Sequence, residues 1–554
     1  MAELQNSHST HYSVPLESKN VFYEGTAKPS IPINWRLAES TAALKALEAT
    51  AVNVLLKRKY NVSPQNVIIN TDHAQLFLMS AFIWTIHYNG VDLTPFTATS
   101  DPEYLKAFPN KWDLHRFNVG LHRRLITNIY KTKDGRYYHT HGSINPDPSL
   151  DSLGLPHDRE VKDYDEALKP FVDKVSLIDS VTLDDLENDK YKQSGTVCLS
   201  MDEYKNSEQG KANAHVGLFE IESVFLDTQP PCWWPDTPQT SPQRPLAGLK
   251  VLDLGRAIAV PTATRGLAEL GASILRVTAA HVTDMVITLS EFGWGKWNCH
   301  LDFRKEEDRQ RMRELVWEAD VVVQGYRPGV LDKYGFSPEG LLDICKERER
   351  GLIVQISDAS TGVSLQFGRA MGNNEPVSPF FPNSDIGTGV SGTIGILVAL
   401  LKRGESGGSY RVDIALNYYS QWLVNSVGTY SHDVWDDLWT RNGKQIFRHY
   451  HDQFYTLEKY RSTLKNSSPH LWNPDFFENR YAYGYGKPIK TVKPIAQYRG
   501  GENTTGGSAK WPQEAWMLNL SEALKSPLSA ISGLLSGDKV VNLRLIFRAN
   551  VSVL

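Results

Sequence analysis

Residues Gly248 to Val277 read GLKVLDLGRAIAVPTATRGLAELGASILRV. Leu249 to Leu254 is a near-continuous apolar run between two glycines, the pattern of a strand buried on both faces. Pro261 to Leu270 follows as a helix ended by Gly271, and Ser273 to Val277 is the next strand. The alternation continues downstream. Glu306 to Glu318 is an amphipathic helix, Ala319 to Val323 a third strand and Leu352 to Gln355 a fourth. Strands alternating with helices imply right-handed βαβ units and a mostly parallel sheet. The expected class is α/β: a mostly parallel sheet with flanking helices, joined to a small α+β domain.

Upstream, Gln229 to Pro245 carries six prolines (Pro230, Pro231, Pro235, Pro238, Pro242, Pro245) and reads as an extended linker, pinned to a domain surface by Trp233 and Trp234. Before it, Trp35 to Arg58 is a long helix, Asn66 to Asn70 a strand, and a second apolar helix runs through Phe77 and Ile83. Asn128 to Tyr138 is strand-like, broken by a turn at Lys133-Asp134-Gly135, and Thr196 to Leu199 is a further strand. The expected divisions are a disordered tail over 1–29, an N-terminal unit over 30–120, a small domain over 121–228, the linker over 229–245, an α/β domain over 246–430, and a C-terminal segment over 431–554 with a poorly ordered end.

The two halves share a faint repeat. Leu55-Leu56-Lys57-Arg58 recurs as Leu400-Leu401-Lys402-Arg403, an offset of 345, and at that offset Val67 falls on Val412, Ile69 on Ile414 and Leu78 on Leu423. Helix, turn, strand, helix thus occurs twice, which favours duplication over chance.

The 554 residues carry a formal charge of −4, with 22% charged and 41% hydrophobic residues. That length implies two or three domains, and that balance argues against nucleic acid or an anionic membrane as a partner. Four separated cysteines, Cys198, Cys232, Cys299 and Cys345, make neither a disulfide framework nor a zinc site. The first residues have no apolar signal core, apolar stretches such as Ile394 to Leu401 fall short of a bilayer span, and the final Ser-Val-Leu lacks a peroxisomal address. A cytoplasmic location is expected.

Two places are candidates for chemistry. The turn Gly255-Arg256-Ala257-Ile258-Ala259-Val260 lacks GxGxxG, so a dinucleotide is disfavoured while another adenine-containing ligand stays open. The second is Pro382-Asn383-Ser384-Asp385-Ile386-Gly387-Thr388-Gly389, ahead of a helix. There Asp385 or Ser384 is either a helix cap or, for Asp385, a carboxylate nucleophile toward an activated acyl group. The glycines would leave room for substrate and supply amide donors to an oxyanion. His139-Thr-His141 and His449-Tyr-His451 place paired imidazoles on strand faces, but no carboxylate or cysteine completes a metal set.

The segment Pro245-Leu-Ala-Gly-Leu-Lys-Val-Leu-Asp-Leu-Gly-Arg256 with Ala263-Thr-Arg-Gly-Leu-Ala-Glu-Leu-Gly-Ala272 resembles the opening of the family III CoA-transferases, the family of formyl-CoA transferase, the carnitine type and α-methylacyl-CoA racemase. Leu301-Asp-Phe-Arg304, Ala319 to Val323, Gly325-Tyr-Arg-Pro-Gly-Val-Leu-Asp-Lys-Tyr-Gly335, and Asp385 to Arg403 with Tyr410-Arg-Val-Asp-Ile414 follow in that family's order. The resemblance covers about residues 245–425. It implies a parallel-sheet domain and a small domain, with two chains threaded as interlocked rings. It also implies that Asp385 accepts the acyl group as a mixed anhydride and then carries coenzyme A as a thioester. Ala257, Ile258 and Ala259 resemble positions lining coenzyme A; Lys296, Gly325, Tyr326, Lys333 and Tyr334 resemble positions around its adenosine and phosphates. No tightly bound cofactor is implied, coenzyme A being substrate together with a carboxylic acid.

Lys131 to Tyr137 and Gly195 to Phe219 resemble the two ends of the family's small domain. The chain thus resembles a tandem form: a degenerate first copy, then a nearly complete one, expected as a homodimer or a pseudo-dimer within one chain. Two departures stand out. Gly351-Leu-Ile-Val-Gln-Ile-Ser-Asp358 lacks the family's longer stretch with the racemase histidine, and the glycine-rich loop is reduced to Met371-Gly-Asn-Asn-Glu-Pro376. A non-catalytic CoA-binding partner and a 2-methylacyl-CoA racemase therefore stand as alternatives to the transferase.

Overall fold

A computed structural model of the protein describes residues 17–95, 113–117, 120–225, 227–241, 244–327, 329–348, 350, 352–356, 363–482 and 486–499. The end expected to be poorly ordered lies outside these residues. So does the expected tail as far as residue 16, whereas Val21–Glu24 forms strand β1.

In the N-terminal half, helix α1 (Leu37–Tyr60) leads to β2 (Asn66–Asn70), helix α2 (Thr71–Ile83) and the hairpin β3 (Thr85–Tyr88) and β4 (Val91–Leu93). The Asn70 side chain accepts from the amides of Asp72 and His73, which starts α2 directly at the strand's end. A small three-stranded sheet follows, β5 (Asn128–Lys131), β6 (Tyr137–Thr140) and β7 (Thr196–Val197), all antiparallel. Next come β8 (Glu220–Val224), β9 (Lys250–Leu254), helix α3 (Ala259–Glu269), β10 (Ser273–Thr278), β11 (Lys296–His300), helix α4 (Glu306–Glu318), β12 (Val321–Gln324), β13 (Ile353–Ile356), helix α5 (Asn383–Ser406), β14 (Ser409–Asp413) and helix α6 (Leu416–Trp422).

Strands β8 to β14 make one seven-stranded sheet in the order β11-β10-β9-β12-β13-β14-β8, parallel throughout except that β8 runs against β14. The apolar run of β9 is explained by burial on both faces. Val251 joins the core shared with Val321, Val323 and Ile353, while Leu252 and Leu254 join a second core with Val322, Leu301 and Phe336. The first of these cores continues into Leu44, Val52 and Leu55 of α1 and Phe77 of α2, so both halves of the chain share it.

Helix α5 is long and apolar enough, by composition, to span a membrane, which the sequence reading of Ile394 to Leu401 alone did not register. Here it is mostly buried between other helices. Gly266 of α3 faces Thr393, whose hydroxyl donates to the Ala263 carbonyl at 3.0 Å. Arg58 at the end of α1 pairs with Glu405 at the end of α5 (2.5 Å), and Ser40 near the start of α1 reaches Tyr419 beside the start of α5, so the two 24-residue helices run parallel.

The chain returns to its beginning. Strands β15 (Phe477–Ala482) and β16 (Lys487–Val492) extend the β3-β4 hairpin into a four-stranded sheet, and β17 (Ala496–Arg499) pairs antiparallel with β2. Trp234 of the proline-rich stretch is buried, its indole donating to the Ala247 carbonyl at 3.0 Å, and Trp233 packs on Gly404.

Candidate active site

In the seven-stranded sheet the chain leaves β9 toward β10 on one side, and β12 lies on the other. The carboxyl ends of β9 and β12 thus mark the switch point of the sheet, and the crevice outside such a point is the usual ligand position in open α/β sheets. Two glycines bring the loops after these strands together on Val260 in the first turn of α3: a methyl on Gly255 would collide with that side chain, and one on Gly325 would lie 2.8 Å from it. Between them Ala257 has φ of 62°, a left-handed conformation unfavourable for any residue with a Cβ. It is held by its amide donating to Asp284 Oδ1 (3.4 Å) and its carbonyl accepting from Thr288 Oγ1 (3.1 Å). Such a backbone persists where surrounding structure imposes it, and it is concentrated at binding sites.

Helix α5 delivers Asp385 to the same end of the sheet. Its residue Gly389, one turn further on and so on the same helix face, meets α3: a methyl there would stand 2.7 Å from the Ala259 carbonyl and 2.5 Å from Thr262 Cβ. A methyl on Gly387 would collide with the Tyr419 ring. The helix begins at Asn383 with Pro382 as its cap, so neither Ser384 nor Asp385 caps it. The glycine amides are consequently committed to the helix ladder, and the expectation that they serve an oxyanion is corrected; in the first turn the Asn383 and Ile386 amides donate to the Phe381 and Pro382 carbonyls, which leaves those of Ser384 and Asp385 outside the ladder. The glycines act sterically, by letting Tyr419 and α3 approach. Asp385 is half-buried, and burial lifts its carboxyl to about 6, opposed in part by its own backbone amide.

The residues expected around coenzyme A divide into two groups. Ala257, Ile258 and Ala259 form the turn just described. Gly325 is exposed and Tyr326 half-buried on the facing loop, while Lys333 is exposed with its ammonium 5.0 Å over the ring of Tyr334. Tyr326 and Tyr334 both rest on the core that contains Leu254, Leu301 and Phe336. Lys296 stands apart. Its side chain has no exposure, and its ammonium donates to Asp253 Oδ2 (3.0 Å), the Pro261 carbonyl (2.9 Å) and Thr264 Oγ1 (2.7 Å). Those acceptors match its three donors, an arrangement that leaves none turned to the phosphate it was expected to meet. Burial pushes its pKa down to about 8 against the pull of Asp253.

Two residues that sequence reasoning passed over border the crevice. Arg256 places its guanidinium 4.9 Å over the Tyr326 ring and donates to the Thr283 carbonyl at 3.1 Å. Tyr419 is buried beneath Gly387 with its hydroxyl 3.3 Å from Ser40 Oγ. Nothing but proximity in space marks either, since both look like ordinary turn and helix residues.

The histidine pairs belong elsewhere. His139 lies in β6 and His141 just after it, and burial pushes both well below the usual imidazole range, to about 3 and about 4. His449 and His451 are not on a strand, as expected, but in the turns before the helix at Gln453, where His449 Nδ1 lies 3.1 Å from the Ile129 carbonyl. Among the described residues no three His, Cys, Asp or Glu side chains converge to hold a metal.

Comparison with known proteins finds relatives of this chain. A model of CoA-transferase family III matches residues 246–355. The acetyl-coenzyme A transferase nodX of Hypoxylon pulicicidum is 47% identical over 505 residues, 87% of this chain and 85% of that protein. An acyl-CoA transferase of Gibberella moniliformis is 28% identical over 443 residues, 75% of each chain. Among solved structures, a CAIB/BAIF family protein from Brucella suis superposes with a TM-score of 0.28 at 29% identity, covering 33% of this chain and 56% of that one.

Proposed function

This chain belongs to CoA-transferase family III and is a CoA-transferase, and from that premise we propose that it moves coenzyme A from an acyl-CoA to a carboxylic acid through Asp385. The observation that carries this reading is the position of Asp385. It lies in the first turn of α5, on the face that Gly389 presses against the Ala259–Thr262 turn, with its carboxyl lifted to about 6. A desolvated carboxylate is a stronger nucleophile than a hydrated one and is still ionised at neutral pH.

The steps balance as follows. An Asp385 oxygen attacks the thioester carbonyl carbon, the C–S bond breaks, and coenzyme A leaves as thiolate from a mixed anhydride. The thiolate then attacks the Asp385 carbonyl carbon, expelling the first carboxylate and leaving an aspartyl thioester. The acceptor carboxylate attacks that thioester, regenerating an anhydride and the thiolate. The thiolate attacks the acceptor's acyl carbon, which releases the new acyl-CoA and restores the Asp385 carboxylate. The amides of Ser384 and Asp385 and the positive end of that helix stabilise the oxyanion at each addition. Ala257, Ile258, Ala259, Gly325, Tyr326, Lys333 and Tyr334 hold coenzyme A across the crevice.

The N-terminal half is a duplicate that serves as scaffold. Support comes from geometry: α1 and α5 have equal length, Arg36 and Pro382 before them share φ −76° and ψ 62°, and each is followed by a strand with one parallel and one antiparallel neighbour. In the first copy Glu39 and Ser40 stand near the place of Asp385, and Glu39 Oε2 accepts from the Tyr430 hydroxyl at 2.8 Å. The test of function is to incubate purified protein with a panel of acyl-CoAs and free acids and follow coenzyme A exchange by mass spectrometry. Exchange that disappears in Asp385→Ala supports the transferase. Binding without exchange would make the protein a CoA-binding partner, and solvent deuterium at the α-carbon of a 2-methylacyl-CoA would make it a racemase.

A further inference from the structure

The cations of β10, β11 and the loop after β9 are not equivalent. Lys296 is matched by Asp253, and Arg276 by Asp284, with Asn298 at 3.4 Å from its other donor. Arg256 is different. It is partly buried, and among the described residues no carboxylate forms an ion pair with it; its partners are the neutral Tyr326 ring and the Thr283 carbonyl. A guanidinium withdrawn from water without a counter-ion is costly, and burial lowers its pKa. The contact over the ring and one carbonyl bond hold the guanidinium while leaving further N–H donors in a planar fork, the geometry that matches a phosphate.

Its place in the fold supplies the second argument. Arg256 lies on the loop after β9 and Tyr326 on the loop after β12, so the stacked pair bridges the two lips of the crevice at the switch point of the sheet. On the proposed function, this crevice receives the nucleotide end of coenzyme A. We infer that Arg256, stacked on Tyr326, is the counter-ion of a coenzyme A phosphate, the part that Lys296 is too deeply paired to play. The stack also means that one face of Tyr326 is already covered, so this ring acts first as the platform of the arginine.

The test uses full-length protein and three probes: coenzyme A, 3′-dephospho-coenzyme A and pantetheine. Titration calorimetry of wild type, Arg256→Met and Arg256→Lys is compared, with thermal unfolding to establish that each variant is folded. Arg256→Met should bind coenzyme A about tenfold to a hundredfold more weakly, the loss of a charge-assisted contact. Arg256→Lys, which keeps the charge but not the fork, should recover part of that loss. Pantetheine, which has no phosphate, should bind wild type and Arg256→Met alike. If the contact is to the 3′-phosphate, the dephospho compound will be insensitive to the substitution; if it is to the diphosphate, the dephospho compound will lose affinity as coenzyme A does. Equal affinity of wild type and a folded Arg256→Met for coenzyme A, or an equal loss for pantetheine, overturns the inference. Failure of wild type to bind coenzyme A at all would instead count against the proposed function.

Discussion

Lys296 Nζ lies 3.0 Å from Asp253 Oδ2, and neither side chain has any exposure to solvent. The pair sits under the first turn of α3, where the ammonium also ties the Pro261 carbonyl and Thr264 together. It therefore builds the turn that carries Ala257, Ile258 and Ala259 without reaching the crevice.

Removing one partner of such a pair strands the other charge. Lys296→Met should destabilise the fold by about 3–5 kcal/mol, and the double variant Lys296→Met with Asp253→Asn should recover most of that loss. Chemical denaturation measures both. The double variant should bind coenzyme A within about threefold of wild type, and a large selective loss of binding in a stable double variant would return Lys296 to the ligand.

The glycines of α5 are sites of close approach. Gly387→Ala drives a methyl into the Tyr419 ring, and Gly389→Ala drives one against Ala259 and Thr262. Each should cost about 1–3 kcal/mol of stability, the range for overpacking a tight core, despite the higher helix propensity of alanine. Adding Tyr419→Leu should relieve Gly387→Ala and leave Gly389→Ala unimproved, which thermal unfolding of the four proteins will decide.

The raised carboxyl of Asp385 makes activity and stability respond to pH in opposite directions. The nucleophile must be ionised, so kcat/KM should fall as pH drops through about 6. For stability the sign is reversed. Below the unfolded value of 3.8 the group is neutral in both states; between 3.8 and about 6 the folded state holds the proton more tightly, so raising the pH across that window costs stability. Asp385→Asn should accordingly unfold at a higher temperature than wild type at pH 7.5, and the difference should vanish near pH 4. A lower unfolding temperature at pH 7.5 would show that the carboxylate is stabilised where it stands.

The central sheet was legible because burial on both faces leaves Val251, Leu252, Leu254, Val321, Val322 and Val323 in near-continuous apolar runs. Helix α5 was legible through the apolar run from Ile394 to Leu401. Strand β11, Lys296–His300, was not, because it pairs only with β10 and alternates no clear apolar face. Strands β16 and β17 pair with residues some four hundred positions earlier, and no local pattern announces such a partner. Lys296 was expected at a phosphate through resemblance alone; its partner Asp253 lies 43 positions away, and burial of a lysine shows only in three dimensions. Arg256 was passed over for the converse reason: a turn arginine has no visible distinction until Tyr326 is found under it.

The proposed duplication of the N-terminal half predicts its own outcome. Glu39→Gln should leave turnover within about threefold of wild type, and calorimetry should find one coenzyme A per chain. Two sites per chain, or a hundredfold rate loss in a folded Glu39→Gln, would make the first copy catalytic.

The most direct test of Asp385 as the covalent carrier is hydroxylamine trapping during turnover, followed by peptide mass spectrometry. An aspartyl anhydride or thioester is an activated acyl group, so the account predicts a hydroxamate on the peptide containing Asp385, formed only when acyl-CoA is present, together with a loss of turnover of about a thousandfold or more in Asp385→Ala. Active wild type that leaves Asp385 unmodified, or an alanine variant that turns over at the wild-type rate, would contradict it.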